Sequence, residues 1–332
     1  MAEMKREAMY YNKIRKGLLQ CQLCPHYCII HAGEKGLCRS RENIDGKLWA
    51  VNYAQAIGLS LDPIEKKPLY HFRPGSRIVS LGPNSCNMTC RFCQNYSISQ
   101  YESPTHEINI DELYQVIEGK GSPLQVAFTY TEPFTWYEYI HDFATKYPQV
   151  DIVLITNGFI NPEPLDEILP MLTAMNIDLK SFREEFYAQE CGAKLKQVMQ
   201  CINRCWESGV HLEVTTLLIP GLNDSSAEIH DISSFLASIS RNIPLHLSAY
   251  HPDFKTDIPP TSADDVLRAV EIAKENLNYV YGGNIPLEDA MHSYCPACGS
   301  RVIERGWHKI DNRLTTEAKC PDCGFKIPGV YV

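Results

Sequence analysis

Three cysteines, Cys86, Cys90 and Cys93, stand within eight residues in the stretch CNMTCRFCQNY. A closed zinc site takes four ligands, and no histidine lies nearby in sequence to complete one. A [4Fe–4S] cluster is ordinarily held by four thiolates. Three from one loop leave one iron without a protein ligand. Such an iron can take the amino and carboxylate groups of a methionine moiety and deliver one electron to the adjoining sulfonium. A zinc site completed by a distant residue is the competing reading.

Eight further cysteines fall into two groups. Cys295 and Cys298 in CPACG, and Cys320 and Cys323 in CPDCG, form two matching knuckles. The glycine after each second cysteine permits the tight turn that aims backbone N–H groups at sulfur. Together they make an S4 site that suits zinc, although S4 alone does not choose between zinc and iron. The enclosed stretch predicts a short hairpin with Trp307 and Ile310 as apolar contacts, folded only when metal is bound. Cys21, Cys24, Cys28 and Cys38 have C-x2-C-x3-C-x9-C spacing, unlike the ferredoxin run. Structural zinc is the reading for this set, because four thiolates close a tetrahedron. Cys201 and Cys205 share one face of a helical pattern and, like Cys191, read as buried core.

These groups need elements to place them. RIVSLG, LQVAFTY, DIVLITN, MNIDL, HLEVTTLLI, LHLSAY and YVYG read as buried strands. Helical patterns alternate with them, one opening on Asn109 with Glu112 three residues later. Such alternation predicts parallel strands joined by right-handed crossovers. About six repeats suit an α/β fold of the open, partial (β/α)6 barrel type. Chemistry in such folds sits at the C-terminal strand ends, where the Cys86–Cys93 loop falls. Residues 75–289 form this barrel. The flanks 1–74 and 290–332 are short cysteine-rich modules that need metal for want of a core.

Other polar residues gather at the same strand ends. Asn157, in ITNGF, suits a ligand hydrogen bond, although an Asn-Gly turn looks identical. Asp178 and Lys180 alternate by two and so point to one side of their strand; in a barrel they need a charged ligand or each other. Glu132 opens a helix after the second strand. The aromatic run YTEPFTWYEY reads mainly as helix packing.

The chain carries a net charge of −9, which argues against bulk attraction to nucleic acid or anionic membranes. No apolar stretch has spanning length and the opening residues lack a signal-like apolar core. The expectation is a cytoplasmic protein, since fourteen cysteines in clusters read as metal ligands in a reducing compartment.

The loop C-x3-C-x2-C, with Phe92 before the third cysteine, resembles the radical S-adenosylmethionine (SAM) superfamily. CRFCQN, TNGF, DLK, IPGLND and IPLH resemble the branch that activates glycyl radical enzymes, over about residues 75–285. Including CQLCPHYCIIHAGEKGLCRSREN, DPIEKKPLYHF, AFTYTEP and YHPDFK, nearly the whole chain resembles the radical SAM member of the AmmeMemoRadiSam set, associated with Memo-type and AMMECR-type proteins. The ferredoxin-like insertion of the larger activases is absent.

The resemblance implies a [4Fe–4S] cluster on Cys86, Cys90 and Cys93, bound SAM and a flavodoxin- or ferredoxin-like one-electron donor. It implies that Lys180 meets the SAM carboxylate, Asp178 its amino end and His246 its ribose. Tyr130 and Thr131 replace the two glycines whose backbone receives the SAM amino group in the activases; Glu132 and Pro133 are retained. His251 stays open between a structural and a binding role. The implied activity is reductive cleavage of SAM to a 5′-deoxyadenosyl radical that takes hydrogen from a small molecule or a protein. Two alternatives remain: a glycyl-radical-enzyme activase, and a non-enzymatic zinc adaptor holding proteins or RNA.

Overall fold

The computed structural model describes residues 5–287, 289–306 and 309–331. Its centre is one sheet in which seven parallel strands follow each other in chain order: Arg77–Pro83, Gln125–Phe128, Asp151–Thr156, Ala174–Asp178, His211–Leu218, Leu245–Ala249 and Val280–Gly283. The sheet stays open, and it holds seven parallel strands where about six repeats were expected. The strand Gln55–Pro63 adds antiparallel to Arg77–Pro83 at the edge. Its Gly58, and the shift in register between Ala56 and Leu59, hide it from a period-two reading.

The crossovers are helical because their sequences carry apolar stripes and starts. Asn109 Oδ1 accepts from the N–H groups of Asp111 and Glu112 at 3.0 Å, and Glu112 answers to the Asn109 N–H at 2.9 Å. That reciprocal pair satisfies amides which the first turn of Ile110–Glu118 leaves open. Cys201 and Cys205 are buried in the helix Leu195–Ser208 as expected, Cys205 meeting Met175 at 3.6 Å.

Inside the barrel, alternate residues of neighbouring strands form layers. A lower layer holds Asn176, Glu213 and His246. Asp178, Thr215 and Ser248 stand two residues nearer the C-terminal strand ends. Glu213 is fully buried and accepts from the N–H groups of Tyr70 and His71 at 3.0 and 2.7 Å. It also meets His246 at 2.6 Å and His211 at 3.0 Å. Burial works against its charge, but the two imidazoles hold its carboxyl well below the usual range.

Both flanks pack onto this barrel. The N-terminal strands contribute Leu19, Ile30 and Leu48 to the main core, and buried Arg41 pairs with Glu138 at 2.7 Å. The tail buries Cys295, Cys320, Val302 and Ile303 against Tyr70, Tyr279 and Tyr281. Arg305 reaches from the tail to the Tyr70 carbonyl at 2.7 Å. The expected hairpin forms from Arg301–Arg305 and Ile310–Asn312; Trp307 lies outside the described residues. No helix among the described residues is long and apolar enough to cross a membrane.

Candidate active site

The strand Arg77–Pro83 leads into the cysteine loop past Gly82, where nothing larger than glycine fits against Thr129. A Cβ at Gly82 would stand 2.0 Å from the Thr129 carbonyl oxygen. The loop then runs against the turn at 187–192. The Thr89 N–H donates to the Cys191 carbonyl and the Arg91 N–H to the Glu190 carbonyl, both at 2.9 Å.

Cys86, Cys90, Phe92 and Cys93 line a cavity of ≈ 560 Å³ with Tyr130, Thr131, Glu132, Asn157, Asp178 and Lys180. Ten site residues chosen from scattered motifs thus share one concavity at the C-terminal strand ends. Lys180 donates to Asp178 at 2.9 Å. Burial works against its ammonium, but Asp178 and the thiols of Cys90 and Cys191 outweigh that and hold its pKa well above the ordinary value.

Glu132 is buried in the cavity wall. It accepts from the Asn157 N–H at 2.8 Å, the Thr156 hydroxyl at 2.7 Å and the Phe134 N–H at 3.0 Å. Burial pushes its pKa up to about 7 against those hydrogen bonds. The Asn157 side chain extends to Asn87 at 2.9 Å and to the Cys86 sulfur at 3.7 Å. Tyr130 has φ +71°, a left-handed conformation that glycine adopts freely and tyrosine does not. Its hydroxyl donates to Asp62 at 2.7 Å, and Asn95 donates to its carbonyl at 2.8 Å.

One expectation differs from the placement. His246 is not in the wall of this cavity; it lies two residues below Ser248, turned to Glu213 and edge-on to Tyr70 at 4.7 Å. A ribose contact there would need the ligand to enter the lower layer. Cys191 is buried in the main core, as read from the sequence; its nearby thiol, aided by Lys180, outweighs burial and lowers the Cys90 pKa. His251 is exposed. The sequence reading quoted DPIEKKPLYHF but gave no site role to its Asp62, Lys66 and Lys67, which stand in the cavity wall, Lys67 pairing with Asp62 at 2.8 Å.

The cavity's donor set fits an iron–sulfur cluster. Burial, with Glu132 adding, pushes the Cys86 thiol well up, so a thiolate there needs a metal's positive charge beside it. Three thiols face a cavity large enough for a further ligand.

The profile of the radical SAM superfamily matches residues 82–232, the stretch from the cysteine loop through the helix Ser226–Ile239. The chain belongs to the radical SAM superfamily. An uncharacterised protein of Methanocaldococcus jannaschii is 41% identical over 97% of this chain and 98% of its own. The 4-hydroxyphenylacetate decarboxylase activating enzyme of Clostridioides difficile is 24% identical over 49% of this chain and 55% of its own. This chain therefore spans about half the length of that activating enzyme. Among solved structures, a radical SAM methyltransferase from Sphaerobacter thermophilus shares the fold with a TM-score of 0.50 and 13% identity, over 84% of this chain and 76% of that one. The radical SAM chain is an enzyme, and the reading as a zinc adaptor without activity falls with that. Its tail carries a second metal-competent group: the sulfurs of Cys295, Cys298, Cys320 and Cys323 all lie within 4.8 Å of one another.

Proposed function

We propose that this radical SAM enzyme cleaves SAM reductively and uses the resulting radical to take a hydrogen atom from a polar substrate. The carrying observation is the single cavity that joins three thiols to Lys180, Asp178 and Asn157. Cys86, Cys90 and Cys93 would hold a [4Fe–4S] cluster, which when bound would supply the one electron that splits the sulfonium into methionine and a 5′-deoxyadenosyl radical. The chain supplies position and shelter from water. The Lys180 ammonium suits the SAM carboxylate, and Asp178 its amino group. Glu132 fixes the backbone at Asn157, which in turn fixes the cavity wall beside Cys86.

Asp62, Lys66, Lys67 and Tyr130 line the same cavity, and we assign them to the substrate's polar groups. Lys66 is largely exposed and meets Asp62 at 3.7 Å, so its ammonium stands at the cavity mouth within reach of an incoming anion. The electron comes from a flavodoxin- or ferredoxin-like donor in the cytoplasm. Memo-type and AMMECR-type partners, and zinc in the tail, belong to the same proposal. The tail sulfurs meet at 3.6 and 3.7 Å, close to the spacing of about 3.8 Å that Zn–S bonds of ~2.3 Å give a tetrahedron.

Anaerobic protein incubated with dithionite and SAM tests the reading. Release of 5′-deoxyadenosine that disappears in the Cys86→Ala, Cys90→Ala, Cys93→Ala variant supports it. Equal release from that variant overturns it.

A further inference from the structure

Cys93 is the third thiol of the loop, and Ser99 meets it. The Ser99 hydroxyl lies 3.2 Å from the Cys93 sulfur, on the short helical turn Tyr96–Ser99 that follows the loop. Ser99 is buried, which withdraws its hydroxyl from water.

The neighbours and the chemistry of ligation decide which atom donates. The Gln100 side chain donates to the Met88 carbonyl at 3.1 Å and to the Ser99 oxygen at 3.2 Å. A carbonyl can only accept, so the Met88 contact fixes the amide nitrogen of Gln100 on that side. The Ser99 oxygen therefore accepts from Gln100 and has one hydrogen left to give. Among the described residues that hydrogen finds one acceptor within bonding distance, the Cys93 sulfur. A free thiol could share the contact in either direction. A metal-bound cysteine has lost its proton and can only accept.

The turn that carries Ser99 is pinned from the N-terminal flank. Arg39 follows Cys38, which with Cys21, Cys24 and Cys28 lines a small cavity in that flank. Its guanidinium crosses to the turn and donates to the Ser99 carbonyl at 2.9 Å and the Gln100 carbonyl at 3.2 Å. Asn84 donates to the carbonyls on either side, those of Ile98 at 2.5 Å and Tyr101 at 2.8 Å. A turn this short leaves such carbonyls without helical partners, and these two side chains supply them.

Two features mark Arg39 as held for this contact. Its φ is +64°, a left-handed conformation that costs a non-glycine residue energy and persists only where the surroundings enforce it. Its Nε is buried without a partner, and among the described residues no carboxylate pairs with the guanidinium, whose contacts are uncharged carbonyls. Its positive charge is thus left to act on what lies across the turn, the Cys93 sulfur.

We propose that Ser99, aligned by Gln100 and held by Arg39, donates to the Cys93 sulfur and raises the reduction potential of the cluster bound there. This rests on the assignment of a [4Fe–4S] cluster to Cys86, Cys90 and Cys93. Reduction adds one negative charge to such a cluster. A hydrogen bond to a ligand sulfur, and positive charge behind it, stabilise the reduced form more than the oxidised one. The cluster can then take its electron from a milder donor. Ser99 acts on the cluster; Gln100 and Arg39 are positioning residues.

The test is a redox titration of the full chain, reconstituted anaerobically with iron and sulfide and followed by the paramagnetic signal of the reduced cluster. Ser99→Ala should keep its iron and sulfide. At a fixed potential its ratio of reduced to oxidised cluster should fall about tenfold, roughly the worth of one hydrogen bond, a shift of about 59 mV for one electron. Ser99→Thr, which keeps the hydroxyl, should return towards the unmutated potential. Arg39→Gln should shift the potential in the same direction as Ser99→Ala, and Arg39→Lys should recover part of the shift. An exchangeable hydrogen coupled to the reduced cluster, replaceable in D2O, should be lost in Ser99→Ala. A loaded Ser99→Ala chain with the unmutated potential and coupling overturns this proposal alone. If the Ser99 variants do not fold, Arg39→Gln decides, and an unmutated potential there overturns it. An unmutated chain that takes up no iron on its loop cysteines overturns the cluster assignment, and this proposal with it.

Discussion

Glu132 accepts the main-chain N–H of Asn157 at 2.8 Å, and Asn157 carries its amide on to within 3.7 Å of the Cys86 sulfur. The two residues close the second and third parallel strands into one wall behind the cysteine loop. Glu132 is buried and its pKa lies at about 7, above the ordinary 4.5, because burial outweighs its hydrogen bonds. The folded chain thus holds the Glu132 proton over a pH range in which the unfolded chain has lost it.

Glu132→Gln should therefore change stability in a pH-dependent way. With the folded pKa raised, the unmutated chain loses stability as pH rises from about 4.5 through 7, and the penalty is complete above that. The glutamine lacks one acceptor and should cost about 1–3 kcal/mol at pH 5. That cost should shrink by pH 8, where the unmutated chain must hold an ionised carboxylate in its core. Denaturant titrations of both chains across this range check it; a gap that widens with pH contradicts the assignment.

Lys180→Ala should weaken SAM binding. One charge-assisted hydrogen bond contributes about 1.5–3 kcal/mol, which corresponds to roughly a 10- to 150-fold loss of affinity. Iron content should not change, because Lys180 supplies no ligand to the cluster. Equilibrium binding on anaerobic protein reads the effect, and an unchanged affinity would move the carboxylate clamp elsewhere.

Gly82→Ala should prevent assembly of the site. The new Cβ would meet the Thr129 oxygen at 2.0 Å, and that oxygen belongs to backbone that cannot turn aside. The first two strands must part, carrying Cys86 away from Asn157. Loss of cluster absorbance together with reduced thermal stability is the expected result.

Removing the tail's metal should loosen the barrel as well as the tail, since Cys295 and Cys320 share a core with Tyr70, Tyr279 and Tyr281. Thiolates must be deprotonated to bind, so the metal should also be released more readily as pH falls. Metal analysis after chelation, paired with a melting curve of the full chain, tests both. An unchanged melting temperature in the metal-free chain would show that the shared core needs no metal.

Much of this architecture was legible because local pattern and tertiary burial agree. LHLSAY and DIVLITN are buried on both faces and rich in apolar residues, so they could be read as strands of a covered parallel sheet. Asp178 and Lys180 were visible as a pair because charges at a strand end inside a barrel need an explanation. Gln55–Pro63 was not, since its apolar alternation is broken by Gly58 and a register shift. Its own Asp62, and Lys67 just beyond it, were lost with it.

One misplacement has a geometric cause. His246 lies on the strand its motif indicated, but two residues correspond to about 6–7 Å along a strand. Ser248 therefore reaches the cavity while His246 stays with Glu213 below it. Cys191 is core as read, but the turn at 187–192 also folds back onto the cysteine loop through the Thr89 and Arg91 N–H groups, a packing that no spacing along the chain encodes. The N-terminal cysteines could be grouped from spacing alone.

The most direct test of the account is the product formed from SAM. Anaerobically reconstituted protein with dithionite should convert SAM to 5′-deoxyadenosine and methionine, slowly in the absence of substrate. The chain lacking Cys86, Cys90 and Cys93 should form neither. Iron-loaded protein that binds SAM yet yields no 5′-deoxyadenosine, or a cysteine-less loop that yields it at the same rate, would contradict the central claim.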